Sequence, residues 1–381
     1  MLNQLAPMYS LDLTATNACN YNCNYCFEHL DSHKSEYLDT NYDLLFKRID
    51  QLLESNFFKR QFQVLGLNFW GGEPTLNSTF IEKVFERYKS HPAVRFMIYT
   101  NGWRFSDLFE IAKSVKDIYI YGHPKFVIQV SYDGMPIHDI YRTKKDGKLT
   151  SSIVRNNIIK LEKADLPYSI KATVTPEVFK YLHHCYDDLL EIYRMGRLDK
   201  WKSSIFFPTV DYYHIGEYED DDFSRFLNEL EESLVKISVR DIKFYNEFKR
   251  FFFAWFNNGK AICSAGKDLT VIDLNGKVYK CHGCLYTDQK DDHLVTTIED
   301  DDFVNKLEES HEFHSKLMNV LPVTCQNCDV VYCLKCNSAK YQRSKKQGYG
   351  ERWTDYDVEP RLCKVFHVNN KIVLAMRKII G

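Results

Sequence analysis

The sequence predicts an α/β protein: a partial, open (β/α)6 TIM-like barrel, followed by a small cysteine-rich domain with a β-hairpin. Short β-rich runs alternate with longer helical patterns through the first half of the 381 residues. Such alternation is typical of parallel strands joined by crossover helices. A polar motif follows each of the first four runs, and barrels of this kind gather their active groups at the strand ends. Most of the cysteines lie in the last third of the chain.

Six strands and five helices are predicted in the first half. The strands are short runs rich in β-branched and aromatic residues, at residues 9–14, 63–69, 95–100, 126–131, 169–174 and 204–207. The helices follow from apolar stripes at helical spacing, such as Leu45, Ile49 and Leu52. They are predicted at residues 40–55, 78–88, 106–115, 153–163 and 176–193.

The length of the chain exceeds what one hydrophobic core usually supports, so more than one domain is predicted. The barrel is expected at 1–216, a helical bridge at 217–262, and a cysteine-rich domain with a C-terminal helix at 263–381. The aromatic run 251–256 in the bridge is typical of core packing. In the last domain, runs 269–273 and 277–281 flank Asn275-Gly276, which is a hairpin turn signal.

Composition narrows the class of protein. The hydrophobic fraction is 44%, and 50 basic against 52 acidic residues give a net charge of -2. No basic field for nucleic acid is present, and no apolar run is long enough to span a membrane. The N-terminus lacks a secretion signal, so we expect a cytoplasmic protein. Twelve cysteines in such a chain favour metal ligation over disulfides.

Three cysteines after the first strand, Cys19, Cys23 and Cys26, are spaced to hold one [4Fe-4S] cluster. Three thiolates leave one iron open for an exchangeable ligand, although the same spacing also fits a zinc knuckle. This Cys-x3-Cys-x2-Cys run, with Tyr25 before the third cysteine, resembles the signature of radical S-adenosylmethionine (SAM) enzymes. The resemblance implies that SAM chelates the open iron and is cleaved to a 5'-deoxyadenosyl radical. It also implies that the backbone near Tyr25 touches the adenine.

The run Gly71, Gly72, Glu73 and Pro74 follows the second strand. Glycines let the backbone approach a ligand closely, and a neighbouring carboxylate can accept from an ammonium group. The run resembles the radical SAM motif that receives the SAM amino group, although alone it would also fit a turn. Asn101, after the third strand, is expected to line the site or to form a turn.

The stretch from Ser131 to Arg142 resembles the family's Ser-x-Asp-Gly motif with its following arginine. The resemblance implies that Ser131 and Asp133 bond the ribose hydroxyls and that Arg142 pairs with the SAM carboxylate. A guanidinium fork suits a carboxylate, but a tight turn and a surface arginine are the structural alternative. Cys185, beside two histidines on a predicted helix, is interpreted as a buried thiol without a ligand role.

Eight further cysteines lie in the last third, enough to saturate two [4Fe-4S] clusters. Their layout resembles the SPASM extension of radical SAM enzymes. The resemblance implies one cluster on Cys263, Cys281, Cys284 and Cys336, and another on Cys325, Cys328, Cys333 and Cys363. Three Cys-x2-Cys pairs would also suit structural zinc. The dense run has shorter gaps than the usual SPASM pattern, Cys-x2-Cys-x5-Cys-x3-Cys.

The resemblance implies oxidative modification of a ribosomally made precursor peptide or protein, through a thioether or a carbon–carbon or carbon–oxygen crosslink. An anaerobic sulfatase-type maturase, which converts cysteine or serine to formylglycine, is the alternative enzyme. This chain has His282 where such maturases carry an aspartate. A non-catalytic zinc or iron–sulfur binding protein is the alternative of a different class.

The expected partners follow from the same resemblance. They are the peptide substrate, a one-electron reductant such as flavodoxin or ferredoxin, and a leader-binding protein unless the chain binds the leader itself. His282, Tyr286 and Tyr132 are candidates for proton handling, and the sequence assigns no catalytic base.

Overall fold

The computed structural model describes residues 6–26, 28, 42–175, 181–194, 206–210, 219–243, 260–261, 264–285, 290–318, 328, 330, 333–334 and 360–380. The strands are β1 Met8–Thr16, β2 Tyr21–Cys23, β3 Val64–Gly71, β4 Val94–Thr100, β5 Tyr119–Ile120, β6 His123–Pro124, β7 Phe126–Ser131, β8 Arg142–Lys144, β9 Tyr168–Val174, β10 Phe206–Val210, β11 Lys260–Ala261, β12 Leu269–Ile272, β13 Lys277–Tyr279, β14 Leu294–Thr297 and β15 Cys333–Leu334. The helices are α1 Tyr42–Glu54, α2 Asn56–Gln61, α3 Ser78–Tyr88, α4 Ser106–Ser114, α5 His138–Tyr141, α6 Ser151–Lys163, α7 Leu182–Arg194, α8 Asp220–Lys243, α9 Phe303–Met318 and α10 Pro360–Ile380.

The main sheet has nine strands in the order β10-β9-β7-β4-β3-β1-β12-β13-β14. The strands from β10 to β1 run parallel to one another, with helices between them in the chain. These six strands are the six that the sequence predicted, so the partial (β/α) barrel is confirmed. The hairpin predicted around Asn275 is confirmed as β12 and β13, which pair antiparallel.

The barrel strands have two unlike faces. Side chains such as Leu67, Ile98 and Ile128 are fully buried in the core with those of the surrounding helices. The alternate positions face the concave side of the sheet. We call this concave side the lumen. The residues that face it include Asp12, Asn68, Trp70, Gln129 and Lys171.

Several elements lie where the sequence did not predict them. The first predicted helix, 40–55, corresponds to α1. The helix α2 was not predicted; it begins after Ser55, whose side chain accepts from the N–H of Phe58. The short pairs β2 with β8 and β5 with β6, the strand β14 and the helix α9 were not predicted. The start of the predicted helix 176–193 and the aromatic run 251–256 lie outside the described residues. Among the described helices, none is both long enough and apolar enough to cross a bilayer.

The hairpin continues the barrel sheet. Strand β12 pairs in parallel with β1, with Ser10 opposite Leu269 and Leu13 opposite Ile272. Strand β1 therefore lies between β3 and β12, and its edge is covered by the cysteine-rich part of the chain. This arrangement sets the cysteine-bearing turn after β13 beside the lumen.

Candidate active site

The loop after β1 carries three cysteines, and it is tied to the rest of the barrel at both ends. Cys19, Cys23 and Cys26 are all partly buried. Strand β2 pairs antiparallel with β8, and this register sets Cys23 opposite Arg142. The N–H of Cys26 donates to the carbonyl of Cys23 at 3.0 Å. The loop is therefore held against the segment that carries the predicted SAM arginine.

The donor set of this loop suits an iron–sulfur cluster. Burial raises the pKa of Cys19 and Cys23, and it raises the pKa of Cys26 to about 12. Binding a cation there releases protons from the thiols. Among the described residues, no three His, Cys, Asp or Glu side chains converge on a point that a single metal ion could occupy. Thiolates are the usual ligands of iron–sulfur clusters.

The two glycines after β3 pack against the start of the cysteine loop. Gly71 has φ of +122°, and a Cβ there would lie 2.1 Å from the carbonyl oxygen of Thr16. A Cβ on Gly72 would lie 2.4 Å from the carbonyl oxygen of Ala18. The N–H groups of Gly72 and Glu73 donate to those same two carbonyls, at 2.9 and 2.8 Å. The glycines were predicted to let the backbone approach a ligand; in the structure they let it approach the backbone of the cysteine loop.

Glu73 is 1% exposed, and both of its carboxylate oxygens accept hydrogen bonds. Oε1 accepts from the Thr75 hydroxyl at 2.6 Å and from the Thr100 hydroxyl at 2.7 Å, and Oε2 accepts from the N–H of Asn101 at 2.7 Å. Burial raises the pKa of Glu73, and these hydrogen bonds oppose the rise. Pro74 begins the 3-10 turn Pro74–Asn77 that leads into α3. The carboxylate is thus fixed beside the cysteine loop.

Arg142 and Asp133 form a buried ion pair on the other side of the cysteine loop. Arg142 Nε donates to Asp133 Oδ2 at 2.7 Å, and the Tyr25 hydroxyl donates to the same oxygen. Asp133 Oδ1 accepts from the N–H of Thr173 at 2.9 Å. The Arg142 guanidinium lies 5.0 Å from the centre of the Tyr25 ring. The structure therefore brings together Tyr25, Asp133 and Arg142, which the sequence placed in two separate motifs.

The segment between Asp133 and Arg142 is held by His138, which the sequence did not single out. His138 Nδ1 accepts from the N–H of Asp133 at 3.3 Å, so Nε2 is the protonated nitrogen, 3.0 Å from the Thr150 hydroxyl oxygen. That hydroxyl donates to the carbonyl of Arg142 at 2.6 Å. Burial lowers the pKa of His138 to about 4. A neutral imidazole therefore links the two ends of the segment.

Two residues named from the sequence point into the helix layer. The hydroxyl of Tyr132 donates to Asp188 on α7 at 2.6 Å, and Asp188 also accepts from Arg155 at 2.7 Å. Cys185 is 1% exposed and packs beside Ile137, as expected for a buried thiol. Ser131 ends β7 on the lumen side.

The hairpin brings part of the second cysteine set to the barrel. Cys281 and Cys284 are buried with their sulfur atoms 3.5 Å apart, at the ends of a 3-10 turn that includes His282. His282 stacks on Trp70 with the ring centres 4.0 Å apart. His282 Nδ1 lies 3.2 Å from Asp12 Oδ2, and Asn68 donates to Asp12 Oδ1 at 2.8 Å. This turn therefore contacts lumen residues of β1 and β3.

The remaining predicted ligands are only partly described. Cys328 and Cys363 are partly buried, and the backbone of Cys333 lies in β15, opposite Lys260. Cys263, Cys325, Cys336 and Tyr286 lie outside the described residues.

Sequence reasoning missed the charged lumen residues. Asp12 and Lys171 each stand between apolar neighbours that face the helices, in Leu11-Asp12-Leu13 and Ile170-Lys171-Ala172. A charged residue at an alternate position of an apolar strand is the signal that could have identified them, because a barrel strand needs an apolar side only toward the helices.

Comparison with known proteins agrees with this geometry. The family model described as the Radical SAM superfamily matches residues 13–191. An uncharacterized protein of Methanocaldococcus jannaschii is 29% identical over 178 residues, which are 46% of this chain and 56% of that protein. The chain thus spans just over half the length of this relative. The cysteine-type anaerobic sulfatase-maturating enzyme of Clostridium novyi is 24% identical over 341 residues, which are 85% of this chain and 83% of the enzyme.

Solved structures share the fold. Native anSMEcpe with bound AdoMet and Cp18Cys peptide superposes with a TM-score of 0.65 at 20% identity, over 98% of this chain and 100% of that one. Streptococcus suis SuiB bound to its precursor peptide SuiA superposes with a TM-score of 0.54 at 14% identity, over 88% of this chain and 73% of that one.

Proposed function

Because this chain is a radical SAM enzyme of the SPASM and sulfatase-maturase type, we propose that it oxidatively modifies a ribosomally made precursor peptide. The family implies a [4Fe-4S] cluster and SAM, which when bound supply a 5'-deoxyadenosyl radical upon one-electron reduction. In this proposal Cys19, Cys23 and Cys26 hold the cluster. Family membership and its enzyme relatives set aside the alternative of a non-catalytic metal-binding protein.

One observation carries the proposed SAM site. Glu73 and Arg142 flank the cysteine loop, and each is hydrogen-bonded to it through the backbone of its own segment. A carboxylate on one side and a guanidinium on the other suit the ammonium and carboxylate groups of one amino acid moiety. In this proposal Glu73, with Gly71, Gly72 and Pro74 positioning it, accepts from the SAM amino group, and Arg142 pairs with the SAM carboxylate.

The nucleoside part of SAM is assigned to the neighbouring residues. The backbone at Tyr25 contacts the adenine, and Ser131 and Asp133 bond the ribose hydroxyls. A carboxylate offers about four acceptor positions, and Asp133 uses three of them for Arg142, Tyr25 and Thr173. Asp133 therefore also positions Arg142, and one acceptor position remains for a ribose hydroxyl.

The second cysteine set is proposed to hold two auxiliary [4Fe-4S] clusters, which gives three per chain. One would use Cys263, Cys281, Cys284 and Cys336, and the other would use Cys325, Cys328, Cys333 and Cys363. The close sulfur atoms of Cys281 and Cys284, which adjoin the lumen, support the first set. An auxiliary cluster there would accept the second electron when the substrate loses one hydrogen atom and one proton. A flavodoxin or ferredoxin is the proposed reductant for the first cluster.

The substrate is proposed to be a peptide that enters the lumen. SuiB is a relative in fold that is bound to a precursor peptide, and anSMEcpe is another that is bound to a peptide. A thioether or a carbon–carbon or carbon–oxygen crosslink is the proposed product. The leader is bound either by a separate protein or by this chain.

Formylglycine formation is the second candidate, because sulfatase-maturating enzymes match over most of the chain. His282 follows the hairpin cysteine in this sequence and contacts Asp12, so the residue beside the auxiliary cysteines is an imidazole. The resemblance implies an aspartate at this position in sulfatase maturases, so the histidine favours the crosslinking function.

Anaerobic reconstitution tests the proposal. We expect about twelve iron atoms per chain, in three clusters, and release of 5'-deoxyadenosine that depends on dithionite. Replacing Cys19, Cys23 and Cys26 together by alanine should abolish this release and remove about four irons. Intact clusters that never cleave SAM under strong reductant would overturn the assignment.

Co-expression with small peptides encoded near the gene then separates the two products. A crosslinked peptide loses hydrogen and stays inert to aldehyde reagents. A formylglycine product reacts with hydroxylamine reagents, and such a result would replace crosslinking by the maturase function.

A further inference from the structure

Lys171 lies on the lumen side of β9, level with the end of β7. The parallel register sets Lys171 opposite Ser131, and the N–H of Tyr132 donates to the Lys171 carbonyl at 3.0 Å. Its neighbours Ile170 and Ala172 belong to the core shared with the helices. Because side chains alternate along a strand, the Lys171 ammonium projects toward the lumen.

Electrostatics support this orientation. The charge of Lys171 interacts with those of Asp12 and Arg142. Strands β9 and β1 are separated by β7, β4 and β3 in the sheet, so Lys171 and Asp12 can interact only across the lumen. Burial and the nearby Arg142 lower the pKa of Lys171, and Asp12 opposes this.

No carboxylate of the described residues pairs with Lys171. Asp12 is engaged by Asn68 and His282, and Asp133 is engaged by Arg142. Lys171 is only partly buried, and its Nζ is not among the fully buried polar atoms, so its ammonium group is open to a ligand in the lumen.

The groups around Lys171 suit a bound ligand. Thr173, two residues along the same face, has its hydroxyl 3.5 Å from Arg142 Nη2. Ser169, two residues before Lys171, accepts from Gln129 at 3.3 Å. The cation therefore lies in a polar row that leads to the proposed SAM arginine.

We propose that Lys171 binds a carboxylate group, supplied either by SAM or by an acidic residue of the peptide substrate. The ammonium group then gains the ion pair that the described residues do not provide. The inference rests on the proposed function only in naming SAM or the peptide substrate as the molecule that carries the carboxylate. The binding itself is measured without turnover, so its failure can be told apart from failure of that function.

Competitive labelling of the reconstituted wild-type protein tests the proposal. Lys171 is acetylated with trace acetic anhydride, and its labelling is measured by mass spectrometry relative to the exposed Lys163. The probes are SAM, decarboxylated SAM, and the blocked tripeptides acetyl-Gly-Glu-Gly-amide and acetyl-Gly-Gln-Gly-amide. Protection by SAM but not by decarboxylated SAM assigns the SAM carboxylate. Protection by the glutamyl but not by the glutaminyl peptide assigns the substrate. Equal labelling with all four probes overturns the proposal.

Substitution provides the second measurement. Lys171→Met should weaken binding of the protecting probe about tenfold or more, which corresponds to about 1.4 kcal/mol. Lys171→Arg should retain most of the affinity because it keeps the charge. Lys163→Met is the matched control and should bind like wild type. Unchanged affinity in a folded, iron-loaded Lys171→Met protein would also contradict the proposal.

Discussion

Asp133 receives the Arg142 guanidinium, the Tyr25 hydroxyl and the Thr173 N–H on its two carboxylate oxygens. Each donor comes from a different part of the chain: β8, the cysteine loop and β9. One buried carboxylate therefore fixes the predicted SAM arginine relative to the cysteines. The sequence could name Asp133, Tyr25 and Arg142 by resemblance, but it could not predict that they contact one another.

Replacing Asp133 by asparagine should weaken SAM binding about tenfold or more, because the loss of one partner leaves a buried charge without its counter-ion. Iron content should stay near that of wild type, because the three cysteines are untouched. SAM affinity is read from the change that SAM causes in the cluster's electron paramagnetic resonance spectrum. Asp146→Asn, at the exposed ion pairs with Lys144 and Lys148, is the control. Unchanged affinity in Asp133→Asn would remove the positioning role of Asp133.

His138 gives a pH dependence to the same segment. Burial lowers its pKa to about 4 in the folded chain, below the ordinary value of about 6.5. The neutral imidazole therefore stabilises the fold fully above about pH 6.5, and this contribution falls as the pH drops toward about 4. By about pH 5 the loss should be about 2 kcal/mol.

The His138→Gln variant tests this pH dependence. Between about pH 7 and pH 5, urea unfolding of the variant should change less than that of wild type, by about 2 kcal/mol. Glutamine keeps a donor and an acceptor but does not titrate. Parallel curves for the two proteins would show that His138 is not the group responsible.

At the scale of elements, the turn after β3 and the cysteine loop form one unit. The helices α3 and α6 were well predicted because their apolar stripes are local patterns. The pair β2 with β8 was not predicted, since it joins segments about 120 residues apart and short strands have no periodic signal of their own. Yet this pair holds Cys23 opposite Arg142.

Replacing Gly72 by alanine should disturb this unit, because the new Cβ would lie 2.4 Å from the Ala18 carbonyl oxygen and 2.8 Å from its carbon. Relief requires movement of the cysteine loop, at a cost of roughly 1–3 kcal/mol. We expect less iron in the first cluster and lower SAM cleavage. Gly66→Ala on the same strand is the control, because its Cβ would meet the flexible Met8 side chain at 3.3 Å. Equal iron content in both variants would contradict the clamping role of Gly72.

At the scale of the whole molecule, the cysteine-rich part covers an edge of the barrel. Strand β12 pairs with β1, and His282 reaches from the following turn to Asp12. The hairpin itself was predicted from its turn residues, but its pairing with β1 was not. Alternation and turn signals are local, whereas the choice of a strand's partner depends on which edge the folded barrel leaves open.

A chain that ends after residue 262 should therefore aggregate, because β1 would expose an unpaired, largely apolar edge. The soluble fraction and light scattering measure this outcome. The full-length Cys281→Ala, Cys284→Ala double variant is the control. It should lose auxiliary iron and stay soluble, because the strand pairing is kept. A monodisperse truncated chain would contradict the view that β12 is part of the barrel sheet.

The sequence by itself determined the six parallel strands, the hairpin and the three-cysteine loop, because periodicity and ligand spacing are local properties, and its motifs resemble those of radical SAM enzymes. Only the tertiary structure decided that Asp133 holds Arg142, that the glycines pack on the cysteine loop, and that Asp12 and Lys171 both lie on the lumen side of the sheet. Those contacts join strands far apart in the chain. Their energies depend on burial and distance, which only the closed fold creates.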